Sequence, residues 1–323
     1  MGDLRSELKK AEWKNVEKVC RHFVRYRHTQ PSPGRVWQVN FSSEAVKLSV
    51  VIPTSDADRG GYFPQLLTQI SGQDFRHFEL IVIRGDPRQG RAINIGAALA
   101  KGTYTLTLDD DTSLPEPKTF HQLVAVMDAS PDIGLAGGNN VVPQQASSFV
   151  QRVMRQIPRR SWDPVNTITD SDLVEHPCMI MRTSEFKAVG GENELLPRGL
   201  DPYLRQAFRE FGKRTVVVPD VLYHHLPPDT WEALVRQFFR NGSQAAWVNR
   251  HYPEWVIQTP SRHGTFVEIL PIWKRMVRYP RDLTVSLLKG QWIWFTCQLS
   301  YASGFILGLL AESRPGFLHR KHR

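Results

Sequence analysis

Cysteine is scarce in this chain: Cys20, Cys178 and Cys297 are the only three in 323 residues, and no two of them form a C-x-x-C pair. That excludes a disulfide framework and a cysteine-based zinc site, and the simplest setting is the reducing cytoplasm. A secretory leader is not expected, because the opening MGDLRSELKKAEWKNVEKVC is charged throughout where an apolar core would be needed. Internal repeats and low-complexity tracts are missing as well, so a repeat array is not in view. What remains is ordinary globular material, 41% hydrophobic and 23% charged, in a length that buries one sizeable core or two modest ones.

Acidic residues are outnumbered, for a net charge of +9, but the excess is confined to the two ends. Residues 1–30 hold eight Lys/Arg against four Asp/Glu, residues 262–323 hold ten against three, and the stretch between is slightly acidic. A nucleic-acid enzyme would carry basic surface through the part that does the chemistry, so a nucleic-acid partner is not expected. Basic flanks suit an anionic membrane surface, and they are equally read as solvated helix faces.

Residues 3–28 have the spacing of an amphipathic helix, with Leu4, Leu8, Ala11, Val16, Val19 and Phe23 roughly on one face, ending before the helix-breaking TQPSPG. From residue 47 the pattern changes. LSVVIP (48–53), ELIVI (79–83), TYTLTL (103–108), IGLAGG (133–138), CMIMR (178–182) and TVVVP (215–219) read as strands. FPQLLTQI, GRAINIGAALAKG, KTFHQLVAVMDAS and DPYLRQAFREFG read as helices between them. Such alternation predicts an α/β fold whose mostly parallel sheet is flanked by helices, with ligands beyond the carboxyl ends of the strands.

One of these strands runs straight into three carboxylates, in TYTLTLDDD. A period of two puts Asp109 and Asp111 on the same side at the strand's end. Adjacent carboxylates repel, and they either raise one another's pKa or gather a cation. Two such oxygens with waters and the oxygens of a diphosphate make a normal shell for Mg²⁺ or Mn²⁺. The alternative is that the acids cap the helix that follows DTSLPEPKTF.

LSVVIPT, then GRAINIGAALAKGTYTLTLDDDT, then VGGENELLPRGLDPYLRQAFREFGKRTVVVPDVLYHH, in this order and spacing, resemble family 2 of the GT-A glycosyltransferases over about residues 47–250. The resemblance implies a GT-A fold, a nucleotide-sugar donor, a divalent cation on a D-x-D motif and inversion at the anomeric carbon by a single displacement. It carries the D-x-D motif onto Asp109 and Asp111, with Asp110 near the donor's ribose or base. Pro53 and Thr54 then match positions lining the nucleotide, and Arg91 matches a basic residue that, beside a helix N-terminus, faces a phosphate. The catalytic base, which takes the acceptor's hydroxyl proton, falls on Asp201. Read by itself, Asp201 followed by Pro202 is an N-cap and first-turn pair, and the two roles are compatible. VLYHH offers His224 and His225, of which His224 is the expected third metal ligand.

The chain departs from the family in two places. An acidic turn that reads the nucleobase usually follows the second strand, whereas here IVIRGDPRQG places Arg84 and Gly85 there and displaces Asp86, the remaining candidate for that contact. The Q-x-x-R-W motif of processive members is QFFRN, so Gln237 and Arg240 match but Asn241 replaces the aromatic platform. This argues against a processive polymer synthase and leaves Arg240 for the donor diphosphate or an acceptor phosphate.

The expected organisation is an N-terminal amphipathic helix and linker (1–46), a GT-A domain (47–230) and a helical, amphiphilic C-terminal region (231–323). GQWIWFTCQLSYASGFILGLLA (290–311) has no charge over a length sufficient to span a bilayer, and Gly304 and Gly308 form a G-x-x-x-G that marks close helix contact. It reads as a monotopic anchor on the cytoplasmic face, or as a helical hairpin packed on the catalytic domain. The function expected is transfer of one sugar to a lipid-linked or cell-surface glycan. A sugar nucleotidyltransferase is the rival enzyme, although PTSDADRGG (53–61) lacks the lysine its loop needs. A non-catalytic membrane-recruited protein on a transferase fold is the rival binder.

Overall fold

LSVVIPT and FELIVIR are apolar on both faces of a strand, so each is stable only inside a sheet covered on both sides. In the computed structural model, which describes residues 4–258, 262–266 and 271–311, both lie at the centre of a ten-stranded sheet. The strands are β1 (Lys14–Asn15), β2 (Arg35–Asn40), β3 (Leu48–Thr54), β4 (Phe78–Arg84), β5 (Tyr104–Thr107), β6 (Thr112–Ser113), β7 (Ile133–Asn140), β8 (Thr169–Asp170), β9 (Met179–Arg182) and β10 (Arg214–His225). The helices are α1 (Leu4–Lys9), α2 (Tyr62–Ser71), α3 (Gln89–Leu99), α4 (Thr119–Ala129), α5 (Ser148–Gln156), α6 (Thr183–Ala188), α7 (Leu200–Glu210), α8 (Trp231–His251), α9 (Ile272–Leu288) and α10 (Trp292–Leu310).

The sheet order is β1-β2-β4-β3-β5-β9-β7-β10-β6, with β8 also on β10. β4, β3 and β5 are parallel, as are β7 and β10, but β9 runs antiparallel between β5 and β7, and β2 runs antiparallel on β4. The sheet is therefore mixed rather than mostly parallel. The reason is the connection: after β7 the chain passes through α5 and a long loop without a helix crossing back over the sheet, so it re-enters from the same end and reverses.

One face of the sheet packs Val50, Ile52, Leu80, Val82 and Leu106 against α2 and α4, and the other packs Val51, Ile81 and Met181 against α3, α6 and α7. The expected helix over 3–28 stops at Lys9. Its apolar residues serve three separate sites instead of one stripe: Leu4 and Leu8 join the first face, Val16 and Val19 the second, and Phe23 packs near Phe186. Arg21 pins this strap by a two-pronged bond to buried Glu194, at 2.8 and 3.3 Å, so tertiary contacts override helical spacing.

α8 and α10 approach backbone to backbone. A Cβ on Gly242 would lie 2.0 Å from the Tyr301 carbonyl oxygen, and one on Gly304 would lie 2.0 Å from that of Phe239, so neither position accepts a side chain. Gly308 faces Ala246 and Ser243, which places both glycines of the G-x-x-x-G in the helix contact. By length and composition α10 is the single helix among the described residues able to cross a bilayer.

Candidate active site

β5 hands its ladder over at Thr107, and the acidic turn that follows is closed by β6, which pairs antiparallel with the last two residues of β10, His225 opposite Thr112 and His224 opposite Ser113. That pairing decides which histidine meets the acids. His225 Nε2 lies 3.2 Å from Asp111 Oδ1 and 3.9 Å from Asp109 Oδ2. His224 points to the opposite side, its Nδ1 2.7 Å from the Val141 carbonyl. His224, the expected third ligand, thus lies away from the acids and His225 lies beside them, because side chains alternate along a strand.

Asp109, Asp111 and His225 each present one ligand atom, all within 4.8 Å of one another. Two carboxylates and an imidazole, with open positions for water, suit Mn²⁺ or Mg²⁺. Gln89 of α3 donates to Asp109 Oδ1 at 2.8 Å. Arg59 donates to Asp111 Oδ2 at 2.8 and 3.1 Å and lies 3.4 Å from Asp110, so a guanidinium stands where cationic charge is called for. Burial, only partly offset by the His225 charge and reinforced by Asp111, pushes Asp109 up to about 7. For Asp111, burial is outweighed by the hydrogen bond and charge of His225 and by Arg59, which hold it below the usual carboxylate range.

Asp110 turns away from this pair and accepts from Thr54 Oγ1 at 2.7 Å, joining the middle acid to the carboxyl end of β3. Pro53 precedes it in β3, beyond the last β3–β5 pair, Val51 with Thr107, so its missing N–H costs that ladder nothing. Pro53, Thr54 and Asp110 therefore share one edge.

Asp86 and Arg91 do not join them. Arg91 is 3% exposed, binds Asp86 at 2.7 and 2.9 Å, and donates to the carbonyls of Gln30 and Pro31 at 2.9 and 3.3 Å. Asp86 also accepts from Ser32 and from the Arg88 backbone N–H. The pair locks the N-terminal strap onto the start of α3, using four of the five N–H donors of Arg91 and both oxygens of Asp86. Neither residue is among those gathered at the acid cluster.

Asp201 lies in the first turn of α7, but the N-cap is Gly199, at φ 79°, a left-handed position suited to glycine. Asp201 Oδ1 accepts the His176 N–H at 2.7 Å, and that is its only hydrogen bond among the described residues, leaving the second oxygen for a proton. Behind it sits a group that motif reading missed. Buried His176 has Nε2 2.9 Å from Glu192, off the line of a hydrogen bond, so the contact is an ion pair. Burial works against its charge, but Asp201 and Glu192 outweigh that and raise His176 to about 9. Burial and Asp201 push neighbouring Glu175 up. The only sequence signal was EHPC and GGENE, acids in runs otherwise apolar or small.

In front of Asp111 and His225 lies a cavity of about 230 Å³, also lined by Arg59, Tyr62, Asp229 and Gln237. Gln237 Oε1 accepts from Arg160 Nη2 at 2.8 Å. Arg240, one turn further along α8, is exposed and makes no hydrogen bond or ion pair among the described residues.

No protein-family model matches the sequence, and no curated relative matches it. Among solved structures, the chain is similar to the mannosyltransferase PcManGT from Pyrobaculum calidifontis, in complex with GDP-Man and Mn²⁺. The TM-score is 0.50 at 13% identity, covering 87% of this chain and 91% of that one. The chain has a GT-A-like glycosyltransferase fold. TarS 1–349 from S. aureus, at 17% identity, covers 64% of this chain and 72% of its own with a TM-score of 0.42, and its complex with UDP-GlcNAc gives 0.43. Within this GT-A frame, the acid cluster occupies the carboxyl ends of β3 and β5, where open α/β sheets bind ligands.

Proposed function

We propose that this protein is an inverting, metal-dependent glycosyltransferase of family 2, moving one sugar from a nucleotide-sugar donor to a lipid-linked or cell-surface glycan at the cytoplasmic face of a membrane. The observation that carries the reading is the convergence of Asp109, Asp111 and His225 beside the Thr54–Asp110 edge. Asp109, Asp111 and His225 would hold Mn²⁺ or Mg²⁺, which when bound neutralises a leaving diphosphate. Thr54 and Asp110 orient the nucleoside. Asp201 takes the proton from the acceptor hydroxyl as that oxygen bonds to the anomeric carbon, and the carbon–oxygen bond to the diphosphate breaks with its electron pair leaving on the diphosphate. The His176 N–H holds Asp201 in place for that proton.

The membrane part rests on the outer faces of α9 and α10, where Trp273, Met276, Leu288, Trp292 and Leu310 are each more than 60% exposed. Flotation with vesicles containing anionic lipid is expected, and a chain that stays in the soluble fraction removes this part of the reading.

The central test is thermal stabilisation by a panel of nucleoside diphosphates with and without Mn²⁺. A ligand at one hundred times its Kd adds about 2.7 kcal/mol. One nucleotide should stabilise the parent, only with metal, and should fail on Asp111→Ala. Absence of any shift refutes the donor site. Asp201→Asn should keep the nucleotide shift and lose transfer by about 10²–10⁴-fold. Parent-like turnover would unseat the base.

A further inference from the structure

Gln237, Arg240 and Asn241 stand three and four residues apart on α8 and so share a face. Two more arginines are drawn to that face from distant segments. Arg160, in the turn after α5, holds Gln237 at 2.8 Å. Arg198, in the loop before α7, donates to the Asn241 carbonyl and lies 5.8 Å over the Tyr301 ring of α10. None of Arg160, Arg198 and Arg240 has an ion pair among the described residues. Burial holds Arg160 below the usual arginine range. Cations gathered on neutral partners repel one another until an anion joins them.

The backbone agrees. Of the four described non-glycine residues with left-handed φ, two are arginines of this neighbourhood, Arg59 at 50° and Arg159 at 67°, the latter setting the turn that delivers Arg160. Such strain collects at ligand clamps. The position is also informative. Gln237 lines the cavity of Asp111 and His225, and Arg160 feels the charges of Glu175 and Asp111. The arginine face therefore adjoins that cavity through Gln237. Along α10, which carries Tyr301, the outer face is apolar and open, with Trp292, Ile306, Leu307 and Leu310 each more than half exposed.

We infer that Arg160, Arg198 and Arg240 form a subsite for a phosphate or diphosphate on the acceptor, whose apolar portion lies toward α10. This rests on the transferase reading and narrows its acceptor to a phosphate-bearing lipid.

The test uses the full chain, saturated with Mn²⁺ and the nucleoside diphosphate it binds, titrated with geranyl phosphate, geraniol and inorganic phosphate. Geranyl phosphate should bind at least ten-fold more tightly than either of the others. Arg160→Gln and Arg198→Gln should each weaken it at least five-fold, as should Arg240→Gln, whose side chain makes no hydrogen bond or ion pair among the described residues. Lys101→Gln, an exposed cation elsewhere, should change nothing. Equal binding of inorganic and geranyl phosphate overturns the lipid assignment. Arginine variants that lose nucleoside diphosphate while keeping geranyl phosphate place these residues on the donor and overturn the subsite. If the parent binds no nucleotide, the transferase reading fails, and the same titration without nucleotide still decides whether the arginines hold a phosphate.

Discussion

Two arginine–aspartate pairs, close in length and opposite in surroundings, separate what holds this protein together from what it does. Arg91 and Asp86 are 2.7 Å apart, 3% and 0% exposed, and four of the five N–H donors of Arg91 and both oxygens of Asp86 are taken by each other, by the strap or by the turn before α3. Arg59 and Asp111 are 2.8 Å apart, but the arginine is 52% exposed, sits on left-handed backbone, and lines a cavity with His225. The closed pair has no capacity for a ligand. In the open pair a carboxylate is held by a cation that solvent and ligands can displace. A family motif pointed to Arg91, which faces Asp86, Gln30 and Pro31, whereas Arg59 faces the cavity.

The comparison is most sharply broken at the closed pair. Asp86→Ala leaves a buried guanidinium without its counter-charge and should cost about 3 to 5 kcal/mol, read by denaturant unfolding. A loss below 1 kcal/mol would mean that the strap is not held there. The second closed pair, His176–Glu192, adds a pH signature. A histidine raised to about 9 in the folded state stabilises fully below its ordinary value near 6.5, and that stability is lost as pH rises through 9. The parent should lose up to about 3 kcal/mol across that window, and His176→Gln should flatten the slope. A slope unchanged in the variant would assign the loss to other groups.

At the open site the effects are on ligands. His225→Ala should weaken Mn²⁺ binding by about 10–100-fold, whereas His224→Ala should change it less than three-fold. The reverse ranking would restore His224. Arg59→Met is the mildest: partial exposure limits its stability cost to about 1 kcal/mol or less, and removing the competing cation should tighten Mn²⁺ on Asp111 a few-fold. Weaker Mn²⁺ binding in that variant would show that Arg59 supports the metal site instead of standing in for its charge.

Periodicity and composition were enough for six strands and four helices between residues 48 and 225, because strands buried on both faces and helices with one apolar stripe leave distinct patterns, but not for α5, α6 and the two-residue strands β6 and β8. The same alternation placed Asp109 and Asp111 together at a strand's end, where they are found. Three things needed the tertiary structure. The strap over residues 10–28 follows three separate core sites, and no local pattern encodes which one each side chain will reach. Adjacent histidines are equivalent in one sequence until the pairing of β10 with β6 turns His225 inward and His224 out, since a one-residue difference in register exchanges the two faces of a strand. Arg91 with Gln30 and Pro31, Arg160 with Gln237, and Arg198 with Asn241 are contacts between segments distant in the chain; whether a charge is closed off or left for a ligand depends on those contacts, which only the folded chain brings together.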